Sequence, residues 1–132
     1  MALRRQDVDF LRRTVRIEWQ TDRTGKHRMP PKTPRSRRTL PLPAVVADAL
    51  AAHIAKFPPA DDGTLFTGLH GLSWRHEYYG TRVFAPAVRR VGLPAGTTSH
   101  DLRHHYASVL LAAGESVVAV AERLGQRMRR SY

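Results

Sequence analysis

Apolar and polar positions change period once along the chain. Between Thr14 and Trp19 they alternate, with Val15, Ile17 and Trp19 set against Thr14, Arg16 and Glu18, the pattern of a half-buried strand. Residues 1–9 carry no helix start signal and read as the tail of a helix or as a loop. Thr21–Lys26 has turn composition, and His27–Thr33 and Arg37–Leu42 read as two short strands about the turn Pro34-Arg35-Ser36. Pro30, Pro31 and Pro34 confine that hairpin to a sheet edge, because proline has no N–H to give a ladder. The expected arrangement is a small three-stranded antiparallel sheet.

From Pro43 the period becomes helical. Pro43 suits the first turn of a helix running to about Phe57, with Val46, Leu50, Ile54 and Phe57 on one face. Pro58-Pro59 stops it, and Asp61–Ser73 contains one short apolar piece, Leu65-Phe66. A helix from about Trp74 to Val91 is predicted to bend or break near Pro86 and to end at Gly92. Ser99 is the expected N-cap of a helix from His100 to about Ala113, closed by Gly114. Leu102, Tyr106, Val109, Leu110 and Ala113 form its apolar stripe, while His100, Arg103, His104 and Ala107 lie on a second face. Val117–Leu124 makes a last short helix ended by Gly125, and the tail that follows has no apolar period. The predicted fold is therefore α+β and mainly helical, a three-stranded sheet followed by about four helices. It is read as one domain, with a sheet region at 1–42, a helical region at 43–125 and a basic tail at 126–132.

Composition narrows the class. With 132 residues and 42% hydrophobic side chains the chain can bury a core. Having no cysteine, it can hold no disulfide, thiol nucleophile or cysteine-ligated metal. No window approaches the ~18 apolar residues of a membrane span, so the expectation is a cytoplasmic protein with no membrane partner. The charge is +11, and residues 1–43 supply +8 of it. Nineteen of the 22 bases are arginine, whose planar fork donates bidentately to phosphate. Such a block points to a polyanion, with nucleic acid favoured over a merely solvated basic surface and acidic membrane lipid a distant third for want of an amphipathic basic helix. The candidates for backbone contact are Lys26, Arg35, Arg37 and Arg38 in the hairpin region.

The most informative stretch is TSHDLRHHYASVLLAAGESVVAVAERLG. It sets His100 and Arg103 one turn apart at a helix N-terminus, where backbone N–H groups and the dipole favour an anion. On chemistry alone Arg103 either clamps a phosphate or makes a structural contact. His100 and His104 have the i, i+4 spacing of a zinc pair. Yet Asp101 stands where a glutamate base would be, and His70, His76 and His105 offer no obvious third ligand. No metal and no cofactor is expected. Trp19, Trp74, Tyr78, Tyr79 and Phe84 read as core or interface aromatics, because they are not interleaved with the basic block.

The string His100-Asp101-Leu102-Arg103-His104, followed by Tyr106-Ala107-Ser108 and later Leu124-Gly125, resembles the second conserved box of tyrosine recombinases. These are the phage-integrase family of site-specific DNA recombinases. Leu65-Phe66-Thr67, the helix ending AlaValArgArgValGlyLeuPro and the segment PPKTPRSRRTLPLP fall in the order that family shows, and the resemblance covers roughly residues 1–125. It implies metal-free phosphoryl transfer on DNA, in which a tyrosine attacks the scissile phosphodiester and leaves a 3′-phosphotyrosine and a free 5′-hydroxyl. Arginines, a lysine and imidazoles neutralise the phosphate and protonate the leaving oxygen. By motif match Arg103 is the second-box arginine, His100 its companion, and Lys32 the lysine that reaches the leaving oxygen.

Departures from the pattern shape the functional expectation. The family's first arginine would lie before Met1, and neither Arg4 nor Arg5 fits it. Gln126 replaces the histidine of the Leu-Gly-His box. Tyr132 follows Gln126 by six residues, where the family nucleophile comes about nine after its histidine. Tyr132 is therefore not expected to act as the nucleophile. The expectation is a truncated integrase-family protein that binds DNA and is inactive in strand cleavage alone, with other recombinase protomers as further partners. The alternative is a non-catalytic DNA-binding module retained from an integrase.

Overall fold

The computed structural model describes residues 2–68 and 74–125. The side chain of Arg35 lies outside the description, as do His70, Gln126 and Tyr132. The chain divides into two compact units, Met1–Trp74 and Arg75–Tyr132.

The first unit is built on a three-stranded antiparallel sheet. A 3-10 turn at Arg5–Asp7 leads into β1 (Val8–Asp9), which pairs with β2 (Thr14–Ile17) so that Val8 faces Val15. β3 (Gln20–Thr21) and β4 (Arg28–Met29) form a separate two-stranded ribbon. After a 3-10 turn at Pro34–Ser36, β5 (Arg38–Pro41) returns to the other side of β2, and Val15 faces Leu40. The sheet order is β1-β2-β5. A three-stranded sheet is thus present, but its members differ from the sequence expectation. The strand expected at 27–33 is only the pair Arg28–Met29, and it joins Gln20–Thr21 instead of the main sheet. Pro30 and Pro31, with no N–H to donate, end it there. Its place in the sheet is taken by Val8–Asp9, from a segment expected to be helical or irregular.

Val8, Leu42, Ala47 and Leu65 are the buried centre of this unit, with Leu3, Phe10, Val15, Leu50, Ile54 and Phe66 packed around them. α1 (Ala44–Lys56) starts immediately after Pro43 and presents Ala47, Leu50 and Ile54 to that centre. The expected face differs at its ends. Val46 is exposed, and so is Phe57, which lies past the last helical turn and packs its ring on His53. The buried position of the helix is taken by a small side chain, Ala47, in the cluster with Val8, Leu42 and Leu65. Leu65, at 2% exposure, is held by its N–H to the Leu3 carbonyl. Just before it, Gly63 adopts φ +89°, a left-handed conformation that strains any other residue.

The second unit is helical. α2 (His76–Tyr79) runs into a π turn at Gly80–Phe84 and then α3 (Ala85–Arg90). The expected disturbance near Pro86 is this π turn. A wider i→i+5 turn gives room for a ring that would otherwise meet the carbonyl four residues back. Val88 is the buried residue of α3. α4 (Ser99–Ala112) follows, and α5 (Val117–Leu124) packs beside it, burying Val120. Gly114, at φ +89°, closes α4 with the Glu115 N–H on the Leu110 carbonyl.

Two details of α4 correct the sequence reading. Its N-cap is Thr98, not Ser99, because Thr98 has Asp101 three residues on and Ser99 has Leu102. The stripe Leu102, Tyr106 and Val109 is exposed, whereas Arg103, Ala107 and Leu110 are half-buried. The helix turns its mixed face inward because Arg103 finds a partner on α5.

Candidate nucleic-acid interface

The first turn of α4 is fixed by a reciprocal cap. The Asp101 N–H donates to Thr98 Oγ1 at 3.3 Å, and Asp101 Oδ2 accepts the Thr98 N–H at 2.8 Å and its hydroxyl at 3.0 Å. These bonds, the backbone N–H first, hold the Asp101 carboxyl below the usual carboxylate range, and His100 and His104 add to the effect. Asp101 is therefore committed to the helix end. The folded pKa is the lower one, so the cap is at full strength above the ordinary aspartate value of about 3.9 and is lost as pH falls through the depressed value. Thr98→Ala is expected to destabilise the second unit by about 1 kcal/mol. Asp101→Asn should remove the acid-dependent loss of helicity, and circular dichroism between neutral and strongly acidic pH reads both.

On this fixed turn stand the motif residues. The His100 and His104 rings meet edge to face, their centroids 4.4 Å apart, and both side chains are exposed. Arg103, one turn from His100, donates from Nη2 to the carbonyl of Leu124, the last residue of α5. The choice between a phosphate clamp and a structural contact is thus not exclusive. One donor of the guanidinium anchors it, and a guanidinium has five. Beside it, Arg123 Nη2 donates to Glu115 Oε1 at 3.1 Å. The Arg123 pKa is pushed up from its already high value, first by a hydrogen bond to Tyr106 and also by Glu115.

Lys32 belongs to the first unit, exposed between β4 and the 3-10 turn that a Thr33–Ser36 hydroxyl bond of 2.8 Å closes. His100 and Arg103 belong to the second. Of the hairpin bases, Lys26 and Arg37 are exposed, and Arg38 donates from Nη1 to the Ser36 carbonyl at 2.7 Å. Elsewhere in this unit Arg4 pairs with Asp62 at 3.8 Å and Arg12 with Asp9 at 3.9 Å. Sequence reasoning missed Arg28, whose guanidinium lies over the Trp19 ring at 5.4 Å, with Nε and Nη1 shielded from solvent and without an acceptor. No motif marked that pair. The one available signal was an aromatic residue preceding β3 and a base on the strand facing it. Among the described residues no group of three or more His, Asp or Glu is placed to hold a metal ion. No described helix is long and apolar enough to cross a membrane.

This combination of a small antiparallel sheet, a helical unit and a capped helix bearing His100 and Arg103 defines the catalytic-domain fold of the tyrosine recombinases. Sequence and structure agree that the chain belongs to that family. No protein-family model matches it. The tyrosine recombinase XerC 1 of Ralstonia nicotianae is 34% identical over 97 residues, covering 67% of this chain and 29% of that protein. The integrase of transposon Tn1549, solved with transposon right-end DNA, aligns with a TM-score of 0.80 and 26% identity, over 96% of this chain and 45% of that one. XerA recombinase shares the fold, with a TM-score of 0.74 and 17% identity over 96% of this chain and 41% of that one. The chain thus spans less than half the length of these relatives.

Proposed function

We propose that this chain binds double-stranded DNA as a part of a site-specific recombinase or integrase, acting in the cytoplasm. What supports the reading most is its similarity to the Tn1549 integrase, which was solved in complex with transposon DNA. In this reading His100 and Arg103 neutralise the oxygens of a DNA phosphate, and Lys32 takes the role the family resemblance gives it, toward the leaving oxygen. Lys26, Arg35, Arg37 and Arg38 bind neighbouring backbone phosphates. Most of these contacts are to the backbone, so they position the duplex and carry little base information. Other recombinase protomers are the further partners.

Fluorescence anisotropy with a labelled duplex tests the reading. Saturable binding at low salt is expected, and Arg103→Ala should weaken it about tenfold, the size of one lost charge-assisted hydrogen bond. A native chain that leaves the duplex free at low salt would overturn the reading.

A further inference from the structure

The guanidinium of Arg103 is anchored 21 residues away in sequence, on the carbonyl of Leu124. That carbonyl is one residue from Arg123, and Glu115 accepts the Arg123 Nη2 at 3.1 Å from the loop between α4 and α5. Both ion-pair partners are roughly one-third exposed. The set makes a chain of contacts: Arg103 to Leu124, Leu124 to its neighbour Arg123, and Arg123 to Glu115. A carbonyl can orient a guanidinium only as well as the carbonyl itself is fixed. Here the last turn of a short, eight-residue helix is closed by the Gly125 N–H on the Ala121 and Glu122 carbonyls and braced from outside by the Arg123–Glu115 ion pair.

We propose that Glu115 is a positioning residue for Arg103, acting through Arg123 and the end of α5 to aim its remaining donors at a DNA phosphate. The proposal rests on the DNA-binding reading above for its ligand, while the chain of contacts is a property of the protein alone. Its signature is a reversal of sign. Removing an acidic residue from a DNA-binding surface ordinarily strengthens binding, since it removes repulsion from the phosphates and here also frees the charge of Arg123. If Glu115 positions Arg103, Glu115→Ala must weaken binding instead.

The experiment is a double-substitution cycle on the full chain, read by anisotropy with a labelled duplex across a salt series. Glu115→Ala is expected to weaken binding about threefold, less than the loss of Arg103 itself, and to lower the salt slope by less than the ~0.9 of one full phosphate contact. In the Arg103→Ala background Glu115→Ala should not weaken binding further, because a residue that acts through Arg103 has nothing left to act on. Tighter binding by Glu115→Ala, or additive losses in the cycle, would overturn the proposal and leave the DNA reading intact. A second arm needs no DNA. The Arg103 guanidinium resonance of the free protein should exchange faster with solvent in Glu115→Ala than in the native chain. An unchanged resonance would equally overturn it, whereas a native chain that ignores DNA but shows the exchange effect would sink only the phosphate assignment.

Discussion

Raising monovalent salt from about 50 to 200 mM should weaken duplex binding about a thousandfold. The magnitude follows from the cations proposed to meet phosphate. Lys26, Lys32, Arg35, Arg37, Arg38 and Arg103 are the candidates, and each neutralised phosphate releases about 0.9 counterion, so the logarithmic slope approaches −5. Residues 1–43 carry a net +8, so most of this response should come from the first unit. Lys26 and Arg37 are exposed, and replacing either with alanine should flatten the slope by about one unit while leaving the sequence preference unchanged. Arg38 already gives one donor to Ser36, and its replacement should also disturb the turn before β5. Bases that merely cover the sheet edge would give a nearly flat salt response, and that outcome would remove DNA as the partner of this surface.

What the sequence made legible was whatever depends on neighbours along the chain. The helix ends at Gly92, Gly114 and Gly125 were readable because each supplies a positive φ where a helix must stop. The second-box residues were readable because His100 and Arg103 need only one helical turn to share a face. The N-cap was misplaced by one residue because Thr98 and Ser99 both can cap, and the choice falls to the partner three residues on. Asp101 bonds back to Thr98, and Leu102 has nothing to offer Ser99. The inner face of α4 was misjudged for a tertiary reason. Periodicity identifies two stripes, and only the packing of α5 on α4 decides between them, with the Leu124 carbonyl accepting from the half-buried Arg103. The partner of β4 was likewise hidden, since strand pairing is decided between segments and Pro30-Pro31 only says where a strand must end. Trp19 over Arg28 belongs to the same class, a contact set by the register of a two-stranded ribbon.

Incubated by itself with a nicked suicide duplex, the 132-residue polypeptide should bind and form no covalent adduct. Phosphoryl transfer of the kind the family carries out places extra negative charge on a phosphate, and two arginines share it there. Arg103 is the one motif-matched arginine in the chain, and losing a preorganised donor of this type costs about 10²–10³ in rate. Gln126, where the family has histidine, can donate a hydrogen bond but cannot give up a proton near neutral pH. Those losses slow a reaction without abolishing it, so the nucleophile decides the outcome. Of the four tyrosines, Tyr106 lies in the middle of α4, and Tyr78 and Tyr79 lie on α2, outside any family box. Tyr132 alone lies near the expected place, but six residues after Gln126 and behind an arginine-rich stretch, about three residues short of the family spacing. A nucleophile must reach its target in line, within about 3–3.5 Å, and a shortfall of that length costs about 10 Å of extended reach. Denaturing electrophoresis of the trapped reaction reads the result directly. A labelled band at the summed mass that vanishes in Tyr132→Phe would show that the tail delivers its hydroxyl after all, and that a spacing rule had been mistaken for a chemical limit.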